Sequence, residues 1–222
     1  MLYPKRIIKT ENSKHRLHNL LSTFITTLAC VQTAITFRAG GKTDWPPGTY
    51  MAFECRQFDA ELRLPNGGVV ETLIQSIPVN SIEIGILEKS FNFHEAGEGE
   101  TLLRLGKNFT NIETKLITPF FVEFFEDYRP WIDANLSRDF TKWPNDWQFG
   151  RIVRNAAAHN AVSINDQKFV PVNWYGLSYG PAQHGRPIFD SDMGLADIVI
   201  LMIEMNDSLD KLGAPIEPPP SA

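Results

Sequence analysis

The longest uncharged stretch of the chain, Leu20 to Phe37, reads LLSTFITTLACVQTAITF. Its length is just enough to raise the question of a membrane span, but Ser, Thr and Gln residues interrupt it throughout. Apolar side chains recur in alternating steps of four and three residues, at Leu17, Leu21, Phe24, Leu28, Val31 and Ile35. That spacing predicts one stripe of an amphipathic helix over about 14–37, capped by Asn12 or Ser13. The opposite face is polar and uncharged, which suits packing against a partner helix or a second subunit.

Other segments divide into helical and extended patterns. Apolar residues at helical spacing predict helices over 111–127, 145–163 and 192–211, with a short helical piece from Pro130 through Leu136. The segment 169–189 alternates apolar residues around a Gly- and Pro-rich centre and predicts a small hairpin or extended excursion. The segment 50–74 fits two patterns. Helical spacing of Met51, Cys55, Phe58 and Leu62 favours a helix, whereas AELRLPNGGVVETL resembles two strands around a Pro-Asn-Gly-Gly turn. We expect a helix before the turn.

Length and composition set the remaining bounds. The 222 residues suit one domain, 1–222, and 43% hydrophobic residues supply a large core. The sum of the elements predicts a mainly α fold, an antiparallel helical bundle with one or two small β-hairpin excursions. A net charge of −5 is the wrong sign for general electrostatic binding of long nucleic acid, so any such contact must rest on a local basic patch.

Cysteine usage and the N-terminal sequence indicate a cytoplasmic protein. Cys30 and Cys55 form neither a CxxC pair nor a metal-ligand cluster, and we expect two buried thiols in a reducing compartment. The polar start MLYPKRIIKTENSKHR does not resemble a cleavable signal. We expect neither a cofactor, nor a bound metal, nor a membrane contact.

The segment VRNAAAHNAV, Val153 to Val162, places the chain's most chemically capable side chains beside its smallest ones. On a helix of about 100° per residue, Asn155 and His159 share one face, while Arg154 lies roughly 140° from His159. A long guanidinium can still reach the same groove. Ala156 and Ala158, with Gly150 before them, leave room for another helix to come close. The pattern predicts a narrow cleft with an imidazole, an amide and a guanidinium at its edge.

These three groups suit one reaction. Imidazole moves protons near neutral pH, and guanidinium is a permanent planar cation that matches phosphate oxygens. We expect His159 to relay the proton when a ribose 2′-hydroxyl attacks the neighbouring phosphodiester, Arg154 to stabilise the charge on the phosphorane, and Asn155 to orient the imidazole. A basic cluster surrounds the motif and exceeds Asp139 and Asp146 by two positive charges per subunit; its members are Arg138, Lys142, Arg151 and Arg154.

RNAAAH resembles the R-N-x-x-x-H signature, more loosely R-x4-6-H, of the HEPN superfamily. The order of a motif helix, a short extended VNWYGL segment and a terminal helix is also similar to HEPN proteins of bacterial defence and toxin–antitoxin systems, best over 144–212. The resemblance implies a HEPN-like bundle in which 39–110 is an insertion. It also implies a metal-independent endoribonuclease with an antitoxin partner, and a homodimer whose motif helices meet to build one composite RNA site. It carries over Arg154, Asn155 and His159 only.

Other interpretations compete with this one. The same fold could serve as a non-catalytic module that binds nucleotide, RNA or a protein partner, and the hexapeptide could be accidental in an unrelated helical protein. Of the other histidines, His184 lies close after the motif and could reach the cleft with Arg186, whereas His94 lies in an acidic loop. Trp174 and Tyr175 could stack a base, although packing of the excursion onto the bundle explains them more simply.

Overall fold

A computed structural model describes residues 4–11, 14–38, 40–41, 49–66, 81–88, 101–103, 110–159, 161–164, 171–189 and 191–218. Within these residues lie four α-helices: α1 (His18–Arg38), α2 (Thr110–Asn135), α3 (Asn145–His159) and α4 (Leu195–Lys211). The strands are β1 (Arg6–Glu11), β2 (Thr49–Glu54), β3 (Ala60–Pro65), β4 (Ser81–Glu88), β5 (Thr101–Leu103), β6 (Val172–Trp174) and β7 (Leu177–Tyr179). Short 3-10 turns cover Phe140–Lys142 and Pro181–Gln183.

The first five strands form one sheet in the order β1-β4-β3-β2-β5. Neighbouring strands pair antiparallel, except that β5 runs parallel to β2. This sheet makes the protein a mixed α/β structure, so the predicted mainly α bundle with small hairpin excursions is wrong. Helix α1 contacts β4, and α4 contacts β2, which joins the sheet to the helices. Strands β2 to β5 all lie within 39–110.

The helix expected at the start of 50–74 is also wrong, because β2 and β3 pair there as a hairpin, with Ala52 opposite Arg63. Strand β2 reads TYMAFE, which is rich in residues that favour strands. Strands β2 and β3 are joined through the bends at 56–59, and the two glycines of the predicted Pro-Asn-Gly-Gly turn lie outside the described residues. Nearly all of β2 and β3 is buried, so Met51, Cys55, Phe58 and Leu62 are core residues of a hairpin whose spacing imitates a helix.

The predicted helices are present with shifted ends. The first runs from His18 to Arg38, and its predicted caps Asn12 and Ser13 lie outside the described residues. Helix α2 extends from Thr110 to Asn135 and continues through both Pro119 and Pro130, so the short piece predicted after Pro130 is its last turns. The motif helix ends at His159, four residues before the predicted end.

Helix α1 is the one described helix whose length and composition would allow it to cross a membrane. The first part of its predicted apolar stripe is buried, with Leu21, Phe24 and Leu28 at most 1% exposed, and the helix contacts α2. Ile35 and Phe37, at its C-terminal end, are exposed. The packing of the stripe is consistent with a soluble protein.

Helix α2 lies at the centre of the helical layer, where it contacts α1, α3 and α4. The predicted hairpin is also present: β6 and β7 pair with Val172 opposite Tyr179. Its turn has positive φ angles at Tyr175 and Gly176, 42° and 91°, which is typical of a two-residue type I′ turn. Phe149 of α3 stacks on Trp174, with ring centroids 5.4 Å apart, and this contact fixes the hairpin against the motif helix.

Candidate functional site

The small residues of the motif helix pack inside the protomer. A Cβ atom built at Gly150 would lie 2.7 Å from Met205 Sδ, so a side chain of α4 packs directly against the α3 backbone at that point. The Trp147 indole nitrogen donates a hydrogen bond to the Met205 carbonyl at 3.0 Å and holds the two helices together. Ala156 is fully buried, whereas Ala158 is exposed. The clearance predicted from Gly150 and Ala156 is therefore used by core packing, and only the last turn of α3 offers small residues to another molecule.

The later turns of α3 carry Arg154 and Asn155, both half-buried. The Arg154 Nε donates to Glu126 of α2 in a close ion pair. The Arg154 Nη1 also donates to the Asn155 Oδ1 at 3.3 Å. The amide therefore orients the guanidinium, whereas the sequence predicted that it orients the imidazole.

His159 is the last residue of α3 and is exposed. Within the described residues no hydrogen bond joins it to Asn155, although the two share a helix face. It is also absent from the lining of the groove that contains Arg154 and Asn155. The structure thus brings the guanidinium and the amide together, and it leaves the imidazole at the rim, one helical turn further along.

That groove has a volume of about 420 Å³ and lies between α2, α3 and the segment that joins them. We call it the arginine groove, because four arginines contribute to its lining. Its lining residues are Phe125, Arg129, Asp133, Arg138, Phe140, Trp143, Arg151, Arg154 and Asn155. Three of the arginines belong to the cluster expected around the motif, but Lys142 of that cluster does not line the groove.

Sequence reasoning missed the contribution of α2. Arg129 lies near two carboxylates of its own helix, with Nη1 3.8 Å from Glu126 Oε2 and Nε 3.6 Å from Asp133 Oδ2. Glu126 therefore forms ion pairs with both Arg129 and Arg154. The spacing of Glu126, Arg129 and Asp133 is a local signal for helical ion pairs, but only packing of α2 on α3 shows that they face the motif.

Arg151 also lines the groove. Its guanidinium carbon lies 3.9 Å from the centre of the Phe140 ring, in a cation–π contact. Burial lowers the pKa of Arg151, and the nearby positive charge of Arg129 lowers it further. The positive charges of these two guanidiniums repel each other, and an anion bound near both would reduce that repulsion.

The remaining predicted candidates have structural partners. His184 Nδ1 accepts a hydrogen bond from the Ile164 amide at 3.2 Å, and Arg186 pairs with Asp192 at 2.6 Å, so both stabilise the loop after the motif. Trp174 and Tyr175 each donate to Glu204 at 2.7 Å and pack the hairpin onto the helices, as the simpler interpretation predicted. His94 lies outside the described residues.

A second cavity, of about 490 Å³, lies beside the hairpin turn. Several of its polar groups already have protein partners, because Arg6 pairs with Asp207 at 2.6 Å and Glu204 accepts hydrogen bonds from Trp174 and Tyr175. Nowhere in the described part of the chain do three His, Cys, Asp or Glu side chains gather closely enough to hold a metal ion. The cysteines differ from the prediction, since Cys55 is buried but Cys30 is exposed.

Against this geometry, comparisons with family models, with curated proteins and with solved structures find no match. The arginine groove, with His159 at its rim, is therefore the candidate site on the strength of its own residues.

Proposed function

We propose that this protein is a metal-independent endoribonuclease of the HEPN type, in which the arginine groove binds RNA phosphate and His159 moves the proton. The single observation that carries the proposal is the convergence of Arg154 and Asn155 with three further arginines in one groove. Guanidinium groups match phosphate oxygens in shape and charge. Local positive charge of this kind answers the objection raised by the net charge of −5.

The reaction assigns one task to each group. The ribose 2′-oxygen attacks the adjacent phosphorus while its proton passes to an imidazole nitrogen of His159. The bond to the 5′-oxygen then breaks, the proton held by His159 passes to that leaving oxygen, and a 2′,3′-cyclic phosphate remains. Arg154 stabilises the charge on the phosphorane, and Asn155, through its bond at 3.3 Å, holds Arg154 in place. Acid–base catalysis of this kind contributes a factor on the order of 10² to 10⁴.

A homodimer belongs to the proposal, because His159 lies at the rim of its own groove. If the exposed last turns of two α3 helices meet, the imidazole of one protomer can serve the arginines of its partner. Ala158 is exposed there and leaves room for such an approach. The setting that we propose is a cytoplasmic toxin or phage-defence effector, restrained by an antitoxin protein.

The alternative function is a non-catalytic module that binds nucleotide, RNA or a protein partner. It is favoured by the position of His159 outside the groove and by the pairing of Arg154 with Glu126. In that case the arginines would bind phosphate groups without breaking a bond.

Cleavage of RNA in EDTA separates the two functions. We expect the purified full-length protein to cleave single-stranded RNA and to leave cyclic phosphate ends. His159→Ala and Arg154→Ala should each reduce the rate by at least about 100-fold, as the loss of an acid–base or charge-stabilising group does. Arg38→Ala, which removes an exposed arginine at the end of α1, is the charge-matched control and should retain the rate. Cleavage that persists unchanged in His159→Ala contradicts the enzymatic proposal; RNA binding without cleavage, lost in Arg154→Ala, supports the binding module.

A further inference from the structure

The four arginines of the groove differ in how they are paired. Arg154 contacts Glu126, and Arg129 lies near Glu126 and Asp133. Arg138 and Arg151 form no ion pair with a carboxylate of the described residues. Two of the four arginines are therefore balanced by acidic side chains, and the other half of the set has no carboxylate partner among the described residues.

The unbalanced half is ordered by its surroundings. Arg151 is half-buried, and its stacking on Phe140 at 3.9 Å fixes the plane of the guanidinium. Phe140 belongs to the 3-10 turn Phe140–Lys142, whose first residue is preceded by the cap Asp139. Stacking uses the face of a guanidinium and leaves the N–H groups at its edge for hydrogen bonds. Arg151 is thus oriented in advance for an oxyanion, which reduces the entropy lost on binding.

The charge and the volume of the arginine groove both suit a ligand with more than one phosphate. Four guanidiniums face the two carboxylates of Glu126 and Asp133, so the groove keeps an excess of two positive charges. Two phosphodiester groups carry the same charge with the opposite sign. The volume of about 420 Å³ lies within the range of about 300–1,000 Å³ that is usual for ligand sites.

We infer that Arg138 and Arg151 form a second phosphate subsite, which binds the phosphodiester next to the one held by Arg154. The ligand is then a strand with at least two consecutive phosphates rather than a single nucleotide or a free phosphate ion. The identity of the strand as RNA rests on the proposed function. The existence of two anion subsites does not, because it depends only on the arginines.

The test uses a thymidine trinucleotide, which has two phosphodiesters and no 2′-hydroxyl and so cannot be cleaved by this chemistry. Two analogues each replace one phosphodiester by a neutral methylphosphonate of nearly the same size. Binding of all three to the full chain is measured by isothermal titration calorimetry at low salt. In the unaltered protein we expect each replacement to weaken binding about tenfold, as the loss of a charge-assisted contact does.

The variant Arg138→Gln/Arg151→Gln should bind the trinucleotide about tenfold more weakly, and one of the two replacements should then have almost no effect. The other replacement should keep its tenfold effect, because Arg154 is intact. Arg138→Gln alone, at an exposed position, repeats the test without disturbing the Phe140 stack. Arg38→Gln is the matched control and should behave like the unaltered protein.

Three results overturn the inference. The trinucleotide does not bind; both replacements still weaken binding about tenfold in Arg138→Gln/Arg151→Gln; or Arg38→Gln weakens trinucleotide binding as much as the double variant does. Since the trinucleotide lacks the attacking hydroxyl, a protein that fails to cleave RNA can still pass this test. A protein that cleaves RNA can likewise fail it, so the two proposals stand or fall separately.

Discussion

Replacing Glu126 by glutamine should strengthen the binding of phosphate-bearing strands to the arginine groove. The Glu126 carboxylate contacts Arg154 and lies 3.8 Å from Arg129, so it competes with a ligand for the same guanidiniums. Glutamine keeps the size and a hydrogen-bond acceptor but removes the charge. The variant thus changes the electrostatics of the groove with little change of shape.

The magnitude follows from the geometry. A phosphate on the far side of the Arg154 guanidinium lies roughly 7 Å from the Glu126 carboxylate, and at effective dielectric constants of about 40–80 their repulsion is about 0.6–1.2 kcal/mol. Removing that repulsion should tighten binding by about three- to eightfold. The gain should fade at 1 M salt, where the Debye length falls to about 3 Å.

The assay is fluorescence polarisation of a labelled deoxyribo-oligonucleotide in 50 mM and in 1 M salt. Glu123→Gln is the matched control, because Glu123 lies on the same helix but lines a different cavity. Loss of the partially exposed pair with Arg154 should lower the free energy of unfolding by no more than about 1 kcal/mol. Unchanged or weaker binding by a folded Glu126→Gln variant, or an equal gain in Glu123→Gln, would refute the reasoning.

Three further predictions concern the rest of the molecule. Asp197→Ala should lower the free energy of unfolding, measured in urea, by about 2–4 kcal/mol. The buried Asp197 carboxylate accepts backbone hydrogen bonds from three residues, two of which lie at the β2–β3 bend. Asp197→Asn keeps an acceptor and should lower the free energy of unfolding by less. Burial raises the pKa of Tyr128 to about 12, and burial with a hydrogen bond to Asp192 raises the pKa of Tyr179 above its ordinary value. These phenols ionise at a lower pH in the unfolded chain than in the folded protein. Their contribution to stability is therefore complete below pH 10 and is lost as the pH rises towards 12. Absorbance at 295 nm follows the ionisation, and urea midpoints between pH 9 and 12 follow the loss of stability. One thiol per chain, Cys30, should react with a chromogenic disulfide in the native protein and two in denaturant, because Cys55 is buried and its pKa is raised by burial.

Local periodicity explains which elements could be predicted. Helices α1, α3 and α4 have apolar residues at steps of three and four, and strands β6 and β7 flank a Tyr-Gly turn. Short-range sequence patterns are therefore enough to predict these elements. The prediction of a helix at 50–65 was wrong for the opposite reason. Residues of β2 and β3 are buried on both faces, which removes the two-residue alternation that identifies a strand. The partners that bury them lie far away in sequence.

The candidate site divides in the same way. Proximity along the chain was enough to select Arg154, Asn155 and His159, and to place Arg138 and Arg151 near them, because one helix and the short segment before it hold all five. Only the packing of α2 against α3 decided that Arg129 and Asp133 line the groove and that Glu126 forms an ion pair with Arg154. The same packing leaves the imidazole of His159 at the rim. A helix fixes angles between its own side chains, whereas which surface faces them depends on long-range burial, and that information is distributed over the whole chain.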